Sequence, residues 1–505
     1  MTLLPNKPVR TYFSDILWAT SRGNIKIERK QKDVIKLIIH SPSVHKALFS
    51  YITLKKFEDF SEEQSMIMAG KEAQAFAEEL CSKMKKSVLR SSAWATHKIL
   101  KRVYDKIIVD IKDLKMIKRL QEKSSKPIIL MPTRKSYVDM LLIGYVFFAN
   151  GMNQPFFCTP VQYLDVRLIN RIFRSCGSLF VRETENNELY KAVLKEYLSI
   201  LASDKQTISV SIEETREKSG MLVKANSNIL ESVLDSYFSG KTADMDIIPM
   251  TINYDRVLEG ETFPYELVGE EKVQESLTRF ISSARYIGTP FGKVCINIGE
   301  KISIKKYAEM MGIKQHQLMN VTDEQKRNVC ESLCQTVLES NSRHSVIMST
   351  APLASVLLEY RKGISQENMV KQMEYIYQEL KARNAPLAEK SSVNSDISAS
   401  MTLLTEFVKK KRDVFEPFVS PKVDYKNILM LAYYKNSLVH IFLKEMIVGV
   451  SFLGFGRDTI KQTGITKERV WEKVEFLSKM LNKVFVQESI KIKSYDDFED
   501  TLYFM

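Results

Sequence analysis

The 505-residue chain has few cysteines and few histidines, and it has no long apolar run. None of its six cysteines forms a Cys-x-x-Cys pair, which argues against a metal site and is typical of reduced thiols in an intracellular protein. No stretch reaches the roughly 18 uninterrupted apolar residues that a membrane-spanning helix needs, so we predict none. The first residues lack a sustained apolar core, and we therefore expect no secretory signal.

The charge of the chain is unbalanced towards the positive. There are 74 Lys and Arg against 61 Asp and Glu, which gives a net charge of +13 and a pI ≈ 9.1. Such an excess favours an anionic partner: a phosphate-bearing substrate, a coenzyme, an anionic membrane surface or a nucleic acid. A basic surface without any partner is an equal alternative. The chain has no RNA-recognition motif, zinc-finger spacing or basic-region zipper, so we expect no nucleic-acid partner.

Hydrophobic patterning divides the chain into three regions. Residues 1–115 are predicted to be a helical N-terminal region, with a capping box at Ser61 and Gln64 and a helical apolar pattern that continues through Ile107. Residues 116–310 alternate short apolar runs with amphipathic segments, which predicts an α/β domain with a mostly parallel sheet of six or seven strands. Residues 311–505 are predicted to be a helical C-terminal region. The predicted strands are 127–131, 154–159, 178–181, 206–212, 246–253 and 293–298.

Four short blocks of sequence lie at the ends of predicted strands. They are PTRKSYVDM at 132–140, CGSLFVRE at 176–183, SIEETREKSGMLVK at 211–224 and DIIPMTINYDRV at 246–257. Open α/β sheets place their chemistry at the carboxyl ends of the strands. The first block follows the strand at 127–131 directly and precedes an apolar helix that begins at Asp139, so it is the leading candidate for a functional site.

In this order and at these spacings the four blocks resemble those of the glycerol-phosphate/glycerone-phosphate acyltransferase family, most closely its glycerone-phosphate branch. FGKVCINIGEKISI at 291–304 and YYKNSLVHIFL at 433–443 are also similar to the family, and the resemblance covers about 60–450. It implies a central, mostly parallel sheet of the glycerophosphate-acyltransferase type. It also implies transfer of an acyl chain from acyl-CoA, a co-substrate, to glycerone phosphate or glycerol 3-phosphate in glycerophospholipid and ether-lipid synthesis, without a resident cofactor or metal.

The resemblance assigns catalytic roles to the first block. A histidine in the family takes the proton of the substrate hydroxyl as general base, and an aspartate five positions later holds its imidazole. Asp139 matches the aspartate, but Arg134 occupies the histidine position. A guanidinium stays protonated and accepts no proton. The loss of the base is therefore expected to lower the rate by about 10²–10⁴-fold.

The second and third blocks keep some family residues and lose others. By resemblance, the candidate substrate-binding residues are Arg182, Glu213, Thr215, Arg216 and Lys224. Glu183 replaces the second of two arginines that bind the substrate phosphate in the family, and Glu214 replaces a glycine. A carboxylate repels a phosphate, and a side chain at the glycine position adds bulk where the backbone approaches the substrate.

Two interpretations of the function remain open. The first is a glycerone-phosphate or glycerol-3-phosphate acyltransferase with impaired activity. The second is a catalytically silent homologue, a pseudoenzyme, that binds lipid, a membrane surface or a protein partner. Under both we expect an intracellular protein attached peripherally to a membrane. The glycerone-phosphate branch is often peroxisomal, but the terminal TLYFM is not a Ser-Lys-Leu type signal, which leaves the endoplasmic reticulum and mitochondrial membranes as alternatives.

Overall fold

The chain forms two compact units, defined by the contacts within each. The first comprises residues 1–214, 225–254 and 271–334, and the second comprises residues 215–224, 255–270 and 335–505. The computed structural model describes residues 12–21, 29–55, 61–160, 167–182, 185–213, 225–260, 262–269, 290–388, 392–412, 417–481 and 492–505. Helices and strands are numbered along the chain within these residues.

The first unit begins with five helices and continues as alternating strands and helices. The helices that precede the first strand are α1 Tyr12–Ser21, α2 Gln31–Ile39, α3 Pro42–Lys55, α4 Glu62–Leu80 and α5 Lys86–Val103. The elements that follow are β1 Lys106–Val109, α6 Ile111–Lys123, β2 Ile128–Pro132, α7 Asp139–Ala149, β3 Phe156–Pro160, α8 Arg167–Ser175, β4 Ser178–Val181, α9 Glu188–Ser203, β5 Thr207–Ser209, α10 Asn228–Phe238, β6 Asp246–Tyr254, β7 Lys293–Ile298, β8 Ile302–Ser303, α12 Ile304–Met310 and a 3₁₀ helix at Gln315–Asn320. The predicted capping box at Ser61 and Gln64 is confirmed at the start of α4.

The sheet of this unit is mostly parallel, which confirms the predicted α/β class. Its strand order is β1-β7-β6-β2-β5-β3-β4, with β8 paired to β6, and among the described strands only the pairs β6–β7 and β6–β8 are antiparallel. Eight strands are present among the described residues instead of the predicted six or seven. The two additional strands are β1 and β8, and β8 is only two residues long.

The sequence predicts a helical pattern through Ile107, but the structure has strand β1 at the end of that stretch. Its four residues, KIIV, pair in parallel with β7, and Ile107 lies opposite Val294. β-branched residues fit a pleated, half-buried surface well. Asp110 then begins α6, because its side chain accepts a hydrogen bond from the backbone N–H of Lys112 at 2.8 Å. Asp110 therefore marks the boundary between strand and helix in a stretch whose apolar residues recur at helical spacing on both sides of it.

Strand β2 lies in the middle of the sheet between β5 and β6. All five of its residues are buried, as are all nine of β6; β2 is entirely apolar, and β6 is mostly apolar. Leu130 lies opposite Ser209 on one side and Ile248 on the other, and Pro132 lies opposite Met250. This arrangement fixes where the chain leaves β2 and places the first sequence block at the carboxyl edge of the sheet.

The second unit is mostly helical. Its elements are α11 Phe263–Leu267, the part of α13 Asp323–Arg343 that follows residue 334, α14 Thr350–Glu359, β9 Ile364–Ser365, α15 Gln366–Ala382, α16 Val393–Leu403, a 3₁₀ helix at Thr405–Phe407, β10 Val408–Arg412, β11 Pro417–Pro421, α17 Tyr425–Asn436, α18 Val439–Leu453, α19 Arg457–Thr463, α20 Lys467–Leu481 and α21 Tyr495–Phe504. α18, α20 and α21 share one apolar core that includes Val448, Val474 and Phe498.

A small antiparallel sheet in the second unit departs from the predicted helical region. Its strand order is β10-β11-β9, and Val408 lies opposite Pro421. The sequence of β10 is VKKKR, and lysines are common on edge strands because they discourage pairing with other chains. Proline at both ends of β11 excludes a continuous helix there. The same run of charged residues would also be compatible with an exposed helix, which is why patterning did not identify the strand.

None of the helices in the described ranges is by itself long and apolar enough to cross a membrane. Helices α17 and α18 satisfy the criteria of length and composition only when they are taken together, and the pair is bent by 98°.

Candidate functional site

The turn that connects β2 to α7 is held against the second half of β6. The backbone N–H of Thr133 donates to the carbonyl of Met250 at 2.9 Å, and the Thr133 hydroxyl accepts from the N–H of Ile252 at 3.0 Å. Lys135 Nζ donates to Oδ1 of Asn253 at 2.8 Å. The turn therefore continues the sheet by side-chain and backbone hydrogen bonds, which gives it a fixed position at the carboxyl edge.

Asp139 uses both oxygens of its buried carboxylate to hold this turn. Oδ2 accepts hydrogen bonds from the backbone N–H groups of Lys135 at 2.7 Å and Ser136 at 2.9 Å. Oδ1 accepts a short hydrogen bond from the hydroxyl of Tyr254 at the end of β6. Because an aspartate at a helix start stabilises the N-terminal turn, the carboxylate has a structural role that does not need an imidazole.

Arg134 and Glu213 are in contact, although 79 positions separate them in the sequence. The backbone N–H of Arg134 donates to Oε2 of Glu213 at 2.8 Å, and Arg134 Nη1 makes a longer contact of 3.5 Å with the Glu213 carbonyl. Glu213 is only 2% exposed and forms an isolated bridge with Ala225. The structure thus brings together three of the predicted site residues, Arg134, Asp139 and Glu213.

A cavity with about 100 Å³ of free volume lies beside this turn. Arg134 and Asp139 line its polar side, whereas Met140, Ile143 and Phe157 are among the residues that line its apolar side. Within the part of the chain that the structure describes, no histidine lines this cavity. The lining therefore combines one guanidinium and one carboxylate with an apolar wall, a combination suited to an amphiphilic ligand, and its described residues include no neutral imidazole to accept a proton.

Arg182 lies in a different environment from the one that the resemblance implies. Its Nε and Nη2 donate to the two carboxylate oxygens of Glu79, both at 2.8 Å, and Nη1 donates to Glu185 at 3.0 Å. The guanidinium also lies over the rings of Phe76 and Tyr190, at 5.5 Å from each centroid. The hydrogen bond to Glu79, followed by that to Glu185, raises the pKa of Arg182 above its ordinary value. Arg182 lines a second cavity, near α9 and α10, rather than that of Arg134, and its phosphate-binding role stays a prediction.

The remaining predicted site residues lie outside the described residues. These are Thr215, Arg216 and Lys224, together with the replaced positions Glu183 and Glu214. Their roles stay predictions. In the described ranges, no group of three or more His, Cys, Asp and Glu side chains is arranged to hold a metal ion.

Sequence reasoning missed Tyr254. The residue lies in the fourth block, as the last residue of β6, and its hydroxyl reaches Asp139 in the first block. The parallel register places Met250 opposite Pro132, so the four residues that follow in β6 extend alongside the turn after β2. The feature of the sequence that points to this contact is a tyrosine at the end of a central strand.

Comparison with known proteins agrees with the family resemblance. A family model described as Acyltransferase matches residues 109–253, and one described as Glycerol-3-phosphate acyltransferase C-terminal region matches residues 264–505. The chain is 24% identical over 500 residues to the dihydroxyacetone phosphate acyltransferase of Bos taurus, which covers 94% of this chain and 70% of the bovine protein.

Two further similar proteins match the chain less well, one over a smaller share of its own length and the other with a low structural similarity. Glycerol-3-phosphate acyltransferase 1, mitochondrial, of Bos taurus is 24% identical over 426 residues, which cover 75% of this chain and 51% of that protein. The crystal structure of the 1-acyl-sn-glycerophosphate acyltransferase PlsC from Thermotoga maritima overlaps with a TM-score of 0.27 and 14% identity, over 61% of this chain and 93% of that one. A TM-score this low supports no further comparison. The two family models match consecutive parts of one chain, and together with these relatives they show that the chain is similar to the glycerol-3-phosphate and dihydroxyacetone phosphate acyltransferases.

Proposed function

We propose that this chain is a glycerone-phosphate or glycerol-3-phosphate O-acyltransferase-like protein of glycerophospholipid and ether-lipid synthesis, in which acyl transfer from acyl-CoA is strongly impaired. The family supports the reaction class, and the contacts of Arg134 and Asp139 support the impairment. The observation on which the proposal rests is that an arginine, hydrogen-bonded through its backbone to Glu213, occupies the position of the general base.

The reaction requires a group that removes the proton of the attacking hydroxyl. Arg134 cannot accept this proton because a guanidinium has no free lone pair in its charged form. Asp139 is the nearest carboxylate in the block, but it already accepts hydrogen bonds from two backbone N–H groups and from Tyr254. Hydrogen bonds from these donors favour the charged form of a carboxylate, so protonation of Asp139 would weaken the contacts that hold the turn.

A second candidate function is a catalytically silent homologue that binds lipid, a membrane surface or a protein partner. The structural use of the Asp139 carboxylate favours it, because both oxygens accept hydrogen bonds from groups of the fold itself. The cavity beside Arg134 has an apolar wall and a polar side formed by Arg134 and Asp139, a lining that suits an amphiphile without any chemical step.

The release of coenzyme A tests both candidates. Purified protein would be incubated with acyl-CoA, with and without glycerone phosphate or glycerol 3-phosphate, and the free thiol would be measured. Under the first candidate, release is slow and depends on the acceptor; under the second, acyl-CoA binds in a direct titration but no thiol forms above the control without protein. Turnover in the ordinary enzyme range, about 1–10³ per second, would contradict both candidates.

Peripheral attachment to an intracellular membrane is part of the same proposal. The lipid nature of the proposed products and the net charge of +13 support it. Each basic group that lies near the surface of an anionic membrane adds about 1 kcal/mol of attraction. Flotation with vesicles of phosphatidylcholine and phosphatidylserine at low salt tests the attachment. If the protein remains at the bottom of the gradient with these vesicles, this part of the proposal is wrong. Peroxisomal, endoplasmic-reticulum and mitochondrial membranes are alternatives that fractionation of cells distinguishes.

A further inference from the structure

A large cavity of the first unit lies at the opposite edge of the sheet from Arg134. Phe156, the first residue of β3, and Gln206, which directly precedes β5, both line it, so it lies at the amino ends of these strands. Its free volume is about 1160 Å³. It shares no lining residue with the cavity beside Arg134 within the described part of the chain.

The charged residues of this cavity are mostly cationic. Five cations and two carboxylates line it: Arg29, Lys30, Lys32, Lys83, Lys85, Asp33 and Asp204. Arg29 is neutralised by a bidentate contact with Asp204, at 2.7 and 2.9 Å. The four lysines form no ion pair with any residue in the described ranges, although they line a single concavity. We call them the lysine cluster.

The two chain segments that carry the lysine cluster are joined to each other. Gln31 Nε2, beside Lys30 and Lys32, donates to the carbonyl of Cys81 at 3.1 Å, two residues before Lys83. The backbone N–H groups of Lys83 and Lys85 donate to carbonyls at the end of α8, both at 2.9 Å. These hydrogen bonds hold together the backbones of the two segments from which the four exposed lysines project around one cavity, so an anion there would meet several positive charges.

Two helices begin at the same cavity. α2 starts after Lys30 and α5 starts after Lys85, and neither of these N-cap side chains accepts a hydrogen bond from the first turn of its helix. The N–H groups of a first turn and the helix dipole both favour negative charge. The helix starts therefore add to the attraction for an anion that the four unpaired lysines already create.

The cavity also has an apolar floor. Val34, Met84, Phe156 and Leu201 line it, and Val34 and Leu201 are buried. We propose that this cavity is a second binding site, separate from the site of Arg134, for a ligand that carries a phosphate monoester or pyrophosphate group on an apolar body. The lysine cluster binds the phosphate oxygens, and the apolar floor contacts the remainder of the ligand. The phosphate can belong to a lipid headgroup or to a soluble molecule.

Calorimetric titration of the full chain tests the site. Inorganic pyrophosphate is the soluble probe, and vesicles of phosphatidylcholine with and without phosphatidic acid are the lipid probe. The variants are Lys83→Gln/Lys85→Gln and Lys30→Gln/Lys32→Gln. The matched control is Lys112→Gln/Lys115→Gln, which removes the same charge from exposed positions of α6 that do not line the cavity. Circular dichroism confirms that each variant is folded, and two independent pairs keep the test decisive if one variant fails to fold.

We expect both cluster variants to bind the probe roughly 30-fold more weakly than the wild type, and the control variant to bind like the wild type. Binding of pyrophosphate without binding of phosphatidic-acid vesicles identifies a soluble ligand. If the phosphatidic-acid vesicles bind and pyrophosphate displaces them, the ligand is a lipid headgroup. The proposal is overturned if neither probe binds the wild type, or if the control variant loses as much affinity as the cluster variants.

Discussion

Tyr254, the last residue of β6, donates its phenolic hydrogen to Oδ1 of Asp139, the first residue of α7. The other carboxylate oxygen of Asp139 accepts two backbone N–H groups of the turn before α7. In the family that the sequence resembles, this aspartate orients a histidine. In this chain the carboxylate joins a central strand, a turn and a helix, and both of its oxygens have hydrogen-bond donors.

Replacing Tyr254 by phenylalanine tests how much this contact stabilises the fold. Tyr254→Phe removes the hydroxyl but keeps the ring, and the buried carboxylate of Asp139 loses one of its donors. We expect the free energy of unfolding to fall by about 1–3 kcal/mol, because a buried charged acceptor that loses its partner retains its desolvation cost. Urea unfolding followed by circular dichroism measures the change.

The matched control for this variant is Tyr237→Phe. Tyr237 is fully buried in α10, and its hydroxyl has no hydrogen-bond partner in the described structure. Burial raises the pKa of Tyr237 to about 12, so its hydroxyl is neutral at ordinary pH and replacing it by hydrogen removes no charge. Removing it should change the free energy of unfolding by less than about 0.5 kcal/mol. Equal losses in the two variants would mean that the removal of a buried hydroxyl as such, and not the contact with Asp139, accounts for the Tyr254 effect.

Restoring the family histidine should not restore the activity. Arg134→His supplies an imidazole, but the Asp139 carboxylate remains bound to Tyr254, and Glu183 and Glu214 still replace family residues. We expect acceptor-dependent release of coenzyme A to stay within tenfold of the unsubstituted chain, well short of the roughly 10²–10⁴-fold that a general base contributes. Arg134→Gln is the control for loss of the guanidinium alone. A gain of a hundredfold or more in the histidine variant would show that only the base is missing.

Most of the sheet could be predicted from the sequence because each strand from β2 to β7 is a separate apolar run. β1 could not, since its KIIV continues the spacing of the preceding helix and becomes a strand through pairing with β7. β8 has only two residues, too few for any periodicity. β10 is lysine-rich, and its strand conformation depends on its pairing with β11. In each case a contact distant in sequence decides the local structure.

The candidate site was predictable within the first block and less so between blocks. The close approach of Arg134 and Asp139 follows from their separation by five positions across a turn. The contact between Tyr254 and Asp139 depends on the register of β6 against β2, which single-sequence patterns do not determine. Likewise, Arg182 could be matched to a phosphate-binding position, but its ion pair with Glu79, 103 positions earlier, appears only in the fold.

Removing the Arg182 guanidinium should lower stability. Arg182→Gln breaks the bidentate contact with Glu79 and the contact with Glu185. Because the Arg182 side chain is 35% exposed, solvent screens part of the attraction, and we expect a loss of about 1–2 kcal/mol in the free energy of unfolding. Chemical denaturation measures it. Lys191→Gln is the control, since the exposed pair of Lys191 with Glu188 should contribute less than about 0.5 kcal/mol. If Arg182→Gln and Lys191→Gln are equally stable, the ion pair of Arg182 with Glu79 does not stabilise the fold.

Asp244 should make the fold sensitive to acid. Burial raises the pKa of its carboxyl. The hydrogen bonds from Lys126, the backbone N–H of Lys305 and the Ser303 hydroxyl together lower the pKa by more than burial raises it, so the pKa lies below its ordinary value. With a folded-state pKa below the unfolded value of about 3.9, the unfolded state binds more protons in that range. The stabilisation is therefore complete above that pH and is lost as the pH falls through the folded-state pKa.

Asp244→Asn tests this dependence. The variant cannot ionise at this position, so its free energy of unfolding should fall less steeply than that of the wild type as the pH drops below about 4. At neutral pH it should be less stable by about 1–3 kcal/mol, because Lys126 loses its charged acceptor. Asp105→Asn, at an exposed position of the same unit, is the control and should retain the wild-type slope. Urea unfolding at a series of pH values measures the three slopes, and an Asp244→Asn slope identical to the wild type would assign the acid sensitivity to other carboxylates.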